Sequence, residues 1–355
     1  MVRRRPGPSD PVETNAYISL GDAPETMLPD RYTFSNFRRA LGQPGMFVEE
    51  LGRLPFTAHA VVQNTYATLN GYGEKDAIRV MDEDWDTLIV LDACRYDLFE
   101  EFVDTDAFDS YRRVISIDSN TTPWSIKNFK GGQHGDTVYV NGNPGASKTV
   151  PDEFHRFIEV WTDRDAHDAN TYTIPAESVT EYTRDAIEEY PDKRLIVHYV
   201  QPHKPFVPRP DLVYRSSWSA GERVGLDMDD EPDPDSPEGV WDALRQGVVD
   251  FDEVWQGYGE NLEYVMADVF ELLEVLPGRT VVTSDHGNML GERTVTGRTV
   301  YGHPGGLRTR ILVEVPWAVV DRGERKEIRD GGVRSEGSVE SDIIEDRLAA
   351  LGYKE

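Results

Sequence analysis

Apolar positions recur along this chain in two patterns. Thr87-Leu88-Ile89-Val90-Leu91 is a continuous, partly β-branched run; a run without polar alternation reads as a strand buried on both faces, as in a parallel sheet covered by helices. Arg113 to Ile117, Thr137 to Asn141, Leu195 to Val200, Thr280 to Thr283 and Ile311 to Val315 are further strand candidates. Helical spacing appears from Tyr96 to Val103, from Ala176 to Glu189 and most strongly from Val249 to Leu276, where Leu262, Val265, Phe270, Leu272 and Leu276 supply the apolar surface. Strands alternating with helices predict an α/β fold with a mostly parallel central sheet sandwiched by helices. Ligands in such folds collect at the carboxyl ends of the strands.

Outside this core the pattern weakens. Residues 1–30 carry Pro, Gly, Ser and Asp without periodicity and read as a flexible N-terminal arm; residues 31–82 read as a helical lead-in. Within the lead-in, Phe37, Ala40 and Leu41, then Phe47, Leu51 and Leu54, predict two short helices separated by Pro44 and Gly45. Residues 83–322 form the expected catalytic α/β domain, and 323–355 a charged tail with a short helix at Ile343 to Leu351. Gly131 to Asp152 and Pro208 to Glu238 are expected to form the rim of a site, Asp227 to Glu238 being a solvated loop.

Charge narrows the function classes. The 355 residues carry 65 acidic against 37 basic side chains, a formal net charge of -28, which excludes a nucleic-acid binder working through a basic patch. The bases comprise 8 Lys and 29 Arg, and the acids spread along the whole chain. That balance predicts a halophilic protein, such as a halophilic archaeon would make, whose self-repulsion is screened by salt. The single cysteine, Cys94, excludes an intramolecular disulfide and a cysteine-based zinc knuckle. No apolar run near Met1 or elsewhere reads as a secretory signal or transmembrane helix, so a cytoplasmic location is the expectation.

Several predicted strands end in chemistry-bearing residues. Leu88 to Leu91 runs into Asp92, Thr280 to Thr283 into Ser284-Asp285-His286-Gly287, and Leu195 to Val200 through Gln201-Pro202 into His203. His303 lies in Tyr301-Gly302-His303-Pro304, and Ser119, Thr121 and Thr122 follow the strand ending at Ile117. Carboxylates and imidazoles converging from parallel strands suit a divalent metal with mixed O and N ligands. Each residue also has a plainer reading: Asp92, Thr121 and Thr122 as helix caps, His286 and His303 as structural histidines. His198 reads as packed inside the sheet, and His59, His134, His155 and His167 as surface or structural.

The order Leu91-Asp92-Ala93, a hydroxyl on a turn, Pro202-His203-Lys204-Pro205, Ser284-Asp285-His286-Gly287 and Gly302-His303 before Val315-Pro316 resembles the alkaline phosphatase and sulfatase superfamily. The likeness covers roughly Asp86 to Pro316, and Arg347 to Tyr353 is similar to a tail common in sulfatase-like proteins. It implies an alkaline-phosphatase-like fold and a metal-activated nucleophile. Carried over, Asp92, Asp285 and His286 resemble metal ligands. Thr121-Thr122-Pro123-Trp124-Ser125 matches the sulfatase Cys/Ser-x-Pro-x-Arg motif, with Thr121 at the nucleophile position and Ser125 in place of Arg.

Threonine cannot become formylglycine, so the resemblance implies the phosphodiesterase-like and phosphoglycerol-transferase-like branches rather than a conventional sulfatase. Thr121 is then both nucleophile and metal ligand, with Thr122 the runner-up. Two-metal members carry Asp-x-x-x-His where this chain has Tyr199 to His203. One divalent ion (Mn, Zn, Mg or Ca) is therefore expected, a second being an open alternative, with His203 and His303 contacting the transferred group or His203 protonating the leaving oxygen. The expected function is a metal-dependent hydrolase or transferase acting on phosphoesters of a lipid or glycan. A sulfatase without formylglycine, or a non-catalytic superfamily member, are the alternatives.

Overall fold

The computed structural model describes residues 44–217 and 235–334. The expected arm at 1–30, the lead-in before Pro44, the loop from Asp227 to residue 234 and the terminal helix at Ile343 to Leu351 lie outside the described residues. The chain divides into two compact units, Met1–Gly52 and Arg53–Glu355, and the sheet lies in the second.

That sheet has seven strands: β1 (Thr87–Asp92), β2 (Ser110–Ile115), β3 (His134–Asn141), β4 (Phe154–Glu159), β5 (Arg194–Pro202), β6 (Gly278–Ser284) and β9 (Glu314–Arg322), in the order β2-β9-β6-β1-β5-β3-β4. β1 pairs in parallel with β5 and β6, and β3 in parallel with β4 and β5. β9 runs antiparallel to β6 and β2. The architecture is thus a mostly parallel central sheet flanked by helices.

All six residues of β1 are buried, and their alternation divides them between two cores. Ile89 and Leu91 pack with Val179 and Ala186 of helix α5 (Ala176–Glu189) and with Leu262, Val265 and Val269 of helix α7 (Phe251–Val275). Leu88 and Val90 face Trp85, Trp124, Phe129, Tyr139 and Phe154. Each such side chain contributes about 1.5–3 kcal/mol by leaving water. With both faces filled, the strands expose their polar chemistry at their ends.

The remaining helices are α1 (Pro44–Leu69), α2 (Tyr96–Phe102), α3 (Thr121–Phe129), α4 (Pro144–Ser147), α6 (Val240–Gln246) and α8 (Arg310–Val313). Strands β7 (Met289–Arg293) and β8 (Thr299–Gly302) form a separate antiparallel pair. Two expectations differ from this. The second lead-in helix, expected to be short, is the long α1, and Pro44 opens it because a proline is tolerated in a first turn whose N–H groups have no partners; the expected helix through Phe37 to Leu41 lies outside the described residues. The run Ile311 to Val315 is divided between α8 and the start of β9. Thr309 caps α8 by accepting from the Leu312 N–H, which commits the first half to helix. Among the described residues no helix is long and apolar enough to cross a membrane.

Candidate active site

The carboxyl ends of β1, β6, β5 and β3 meet at one place. The β1–β5 register shifts between Leu91 and Asp92, and the next residue, Ala93, has φ 58. A left-handed alanine costs about 1 kcal/mol or more. Three hydrogen bonds offset that cost: the Ala93 N–H donates to Asp285 Oδ1 (3.0 Å) and the Cys94 N–H to Ser284 Oγ (2.8 Å), tying the ends of β1 and β6 together, and the Tyr258 hydroxyl of α7 donates to the Ala93 carbonyl.

At the end of β6 the Ser284 hydroxyl donates to the His286 carbonyl (2.7 Å), while Asp285 Oδ1 accepts from the His286 N–H (2.8 Å). The following residue must be glycine: a Cβ on Gly287 would lie 1.9 Å from the Ile311 carbonyl oxygen. With Oδ1 fixed by two backbone donors, the other oxygen of Asp285 turns toward Asp92 and His286. The atoms of Asp92, Asp285 and His286 that could ligate a metal all lie within 4.8 Å of one another, and all three residues are buried. His286 Nε2 is 3.4 Å from Asp285 Oδ2 and 3.8 Å from Asp92 Oδ1. Its Nδ1 lies 2.8 Å from the Gly287 carbonyl, which can only accept; a proton therefore sits on Nδ1, and Nε2 is the ring nitrogen that faces the carboxylates.

Thr121 is the first residue of α3, whose cap is Asn120. The Thr121 hydroxyl donates to Asp285 Oδ2 at 2.6 Å and lies 3.2 Å from His286 Nε2. Thr122 turns elsewhere, its hydroxyl 3.4 Å from the Gly145 carbonyl. Asn143, beyond the end of β3, donates to Asp92 Oδ2 (2.8 Å) and accepts from the Gly145 N–H (2.7 Å).

The donor set fits a divalent cation. Among the described residues the ion-pair contacts of Asp285 are with His198 and His286 alone, and burial pulls the pKa of His198 down to about 4, leaving it neutral. A fully buried carboxylate beside a second one is costly without positive charge. Two carboxylates and one imidazole nitrogen, with the Thr121 hydroxyl beside them, are a mixed O/N donor set of the kind a divalent cation takes.

His203 and His303 stand beside this cluster. Their Nε2 atoms are 3.1 Å apart, His203 Nδ1 is 2.8 Å from the Lys204 carbonyl, and His303 Nδ1 is 3.2 Å from Asn120 Nδ2. One proton pattern satisfies all three contacts: Asn120 donates to His303, His303 to His203, and His203 to the carbonyl. The His303 ring stacks on His286 with centroids 4.5 Å apart. Burial, with the neighbouring Lys204 and histidines, holds the pKa of both well below the ordinary value. Neither therefore carries a standing positive charge at neutral pH.

Tyr199, where the two-metal pattern would place Asp, bonds Thr180 through its hydroxyl (2.8 Å) and packs in the core beneath α5 and α7, on the face opposite His198. His198 is fully buried and accepts or donates at Tyr139 (2.7 Å). The geometry thus brings together Asp92, Thr121, Asp285, His286, His203 and His303. Sequence reasoning missed Asn120 and Asn143: each lies on a turn where asparagine ordinarily caps, and only the strand order carries Asn143 to Asp92.

No family model and no curated protein matches the chain. Solved structures similar to it include the C-terminal periplasmic domain of phosphoethanolamine transferase EptC from Campylobacter jejuni, 16% identical, covering 66% of this chain and 77% of that one with a TM-score of 0.38. The integral membrane lipooligosaccharide phosphoethanolamine transferase A of Neisseria meningitidis is 13% identical over 81% of this chain and 60% of its own, TM-score 0.43. The phosphonate monoester hydrolase of Agrobacterium radiobacter is 12% identical over 75% and 73%, TM-score 0.37.

Proposed function

We propose that the chain is a metal-dependent hydrolase or transferase of phosphoesters in which Thr121 is the nucleophile. The observation that carries this reading is the Thr121 hydroxyl, 2.6 Å from Asp285 Oδ2 and 3.2 Å from His286 Nε2, at the N-terminus of α3. Asp92, Asp285, His286 and Thr121 would hold one divalent cation, which supplies Lewis-acid polarisation of a phosphoryl oxygen and a lower hydroxyl pKa.

The residues of the chain divide the remaining work. Asp285 orients the Thr121 hydroxyl and accepts its proton as Oγ1 attacks phosphorus and the bond to the leaving oxygen breaks, that oxygen departing as an alkoxide or phenolate that takes its proton from water, while the N-terminus of α3 favours the negative charge arriving there. Asn143 keeps Asp92 aimed at the cluster. In the second half-reaction water or another alcohol attacks phosphorus, the P–O bond to Thr121 breaks as Asp285 returns its proton to Oγ1, and the neutral His203–His303 pair takes the proton that the attacking oxygen loses and releases it to solvent.

The test is turnover of bis(4-nitrophenyl) phosphate in Mn²⁺ or Zn²⁺ at high salt. Chelation and Thr121→Ala abolish it, whereas Thr122→Ala keeps it within a few-fold. Full activity in Thr121→Ala refutes the assignment, and 4-nitrophenyl sulfate turning over faster than the phosphodiester would replace the phosphoester by a sulfate ester.

A further inference from the structure

Three contacts clamp the segment leading into α3 to the loop that carries His303: the Ser119 hydroxyl donates to the Pro304 carbonyl (2.9 Å), the Gly306 N–H donates to Asp118 Oδ1 (3.2 Å), and Asn120 Nδ2 lies 3.2 Å from His303 Nδ1. Helix capping does not account for the third. The cap of α3 uses only the amide oxygen of Asn120, which accepts from the Thr122 N–H at 3.2 Å, and serine, threonine or aspartate would serve there as well. The cap does fix which way the amide faces. With the oxygen held on a backbone N–H, which can only donate, the amide nitrogen is the end that meets His303, and it too can only donate.

His303 Nδ1 is therefore an acceptor, and the ring proton of neutral His303 sits on Nε2. His203 is ordered the opposite way. Its Nδ1 faces the Lys204 carbonyl at 2.8 Å, which can only accept, so the His203 proton sits on Nδ1 and Nε2 carries the lone pair. The two Nε2 atoms, 3.1 Å apart, are thus unlike: one is an N–H and the other an acceptor. The backbone behind His203 is fixed as well, its N–H donating to the Asp92 carbonyl (3.1 Å) while the Asn261 amide donates to the carbonyls of Pro202 (3.0 Å) and His203 (3.1 Å). Asn120 immediately precedes Thr121, so one short segment places the hydroxyl and orders the histidines. A donor and an acceptor side by side are what a phosphoryl oxygen and an attacking O–H require together.

We infer that Asn120 is a positioning residue that fixes His303 as the N–H donor to the transferred group and leaves His203 Nε2 as the atom that takes the proton of the attacking oxygen. The division of roles rests on the proposed function; the tautomers rest on hydrogen-bond directions alone. In the second half-reaction the attacking oxygen bonds to phosphorus, its proton passes to His203 Nε2 and on to solvent, and the bond from phosphorus to Thr121 breaks as Asp285 returns its proton to Oγ1, while His303 keeps its own. Ring ¹⁵N shifts of the histidines, recorded at neutral pH on the full chain supplied with Zn²⁺, show His303 protonated on Nε2 and His203 on Nδ1. Asn120→Asp keeps the cap but turns an acceptor toward His303, so the His303 proton moves to Nδ1; kcat for bis(4-nitrophenyl) phosphate falls at least about a hundredfold, and KM changes less. Asn120→Ser also keeps the cap but does not reach His303; its urea midpoint stays at the wild-type value while kcat falls about tenfold. Wild-type protein with His303 protonated on Nδ1, or wild-type kcat in Asn120→Ser, overturns the inference. The expected tautomers in a chain that turns over no phosphoester overturn the proposed chemistry and leave the hold of Asn120 on His303 standing; turnover undiminished in Asn120→Asp does the reverse.

Discussion

Asn143→Ala tests whether Asp92 is a held ligand or a residue that merely ends a strand. Both side chains are fully buried, and the amide does two jobs, donating to Asp92 Oδ2 at 2.8 Å and accepting from the Gly145 N–H at 2.7 Å. Losing a hydrogen bond to a buried carboxylate costs about 1.5–3 kcal/mol, and losing the cap of the short α4 adds at most about 1 kcal/mol. The expected loss is roughly 1.5–4 kcal/mol in metal-free protein. Without its orienting partner Asp92 also binds metal less well, by roughly 10–100-fold. Urea unfolding in chelator and in excess Mn²⁺, with a direct Mn²⁺ titration, measures both effects. A loss below about 0.5 kcal/mol together with unchanged Mn²⁺ affinity would refute the reasoning.

Two further expectations follow from the same geometry. Gly287→Ala drives a methyl to 1.9 Å from the Ile311 carbonyl and should cost more than about 3 kcal/mol, whereas Gly247→Ala, at φ +73 with nothing within 4 Å, should cost about 1 kcal/mol; equal losses in chemical denaturation would contradict this. Burial lowers the pKa of Lys204 from 10.5 to about 8, so between those values the unfolded chain holds a proton the folded one has released, and stability rises with pH. Lys204→Met should therefore gain about 3 kcal/mol at pH 7 and lose that rise between pH 8 and 10.5; parallel stability–pH curves would show Lys204 has no such effect.

The strands that position the site were legible because they are buried on both faces: β1, β5 and β6 are apolar runs of the right length, and their polar terminators, Asp92, His203 and Asp285-His286, stand out against them. α5 follows its apolar spacing over Ala176 to Glu189. β4 was not legible. Its sequence Phe154-His155-Arg156-Phe157-Ile158-Glu159 lies at the sheet edge, where half-exposed polar side chains erase the pattern. Ile311 to Val313 was misjudged as strand because a short apolar run carries no period of its own, and the Thr309 cap decided it. Asn143 depends on β3 pairing with β5, a nonlocal fact.

The central claim is that Thr121 forms the covalent bond to the transferred group. Acid quenching during turnover of bis(4-nitrophenyl) phosphate, followed by peptide mass mapping, locates that bond directly. A 4-nitrophenyl phosphate adduct on Thr121, dependent on divalent metal and absent in Thr121→Ala, is expected. An adduct on Thr122, or turnover that persists in Thr121→Ala, would contradict it.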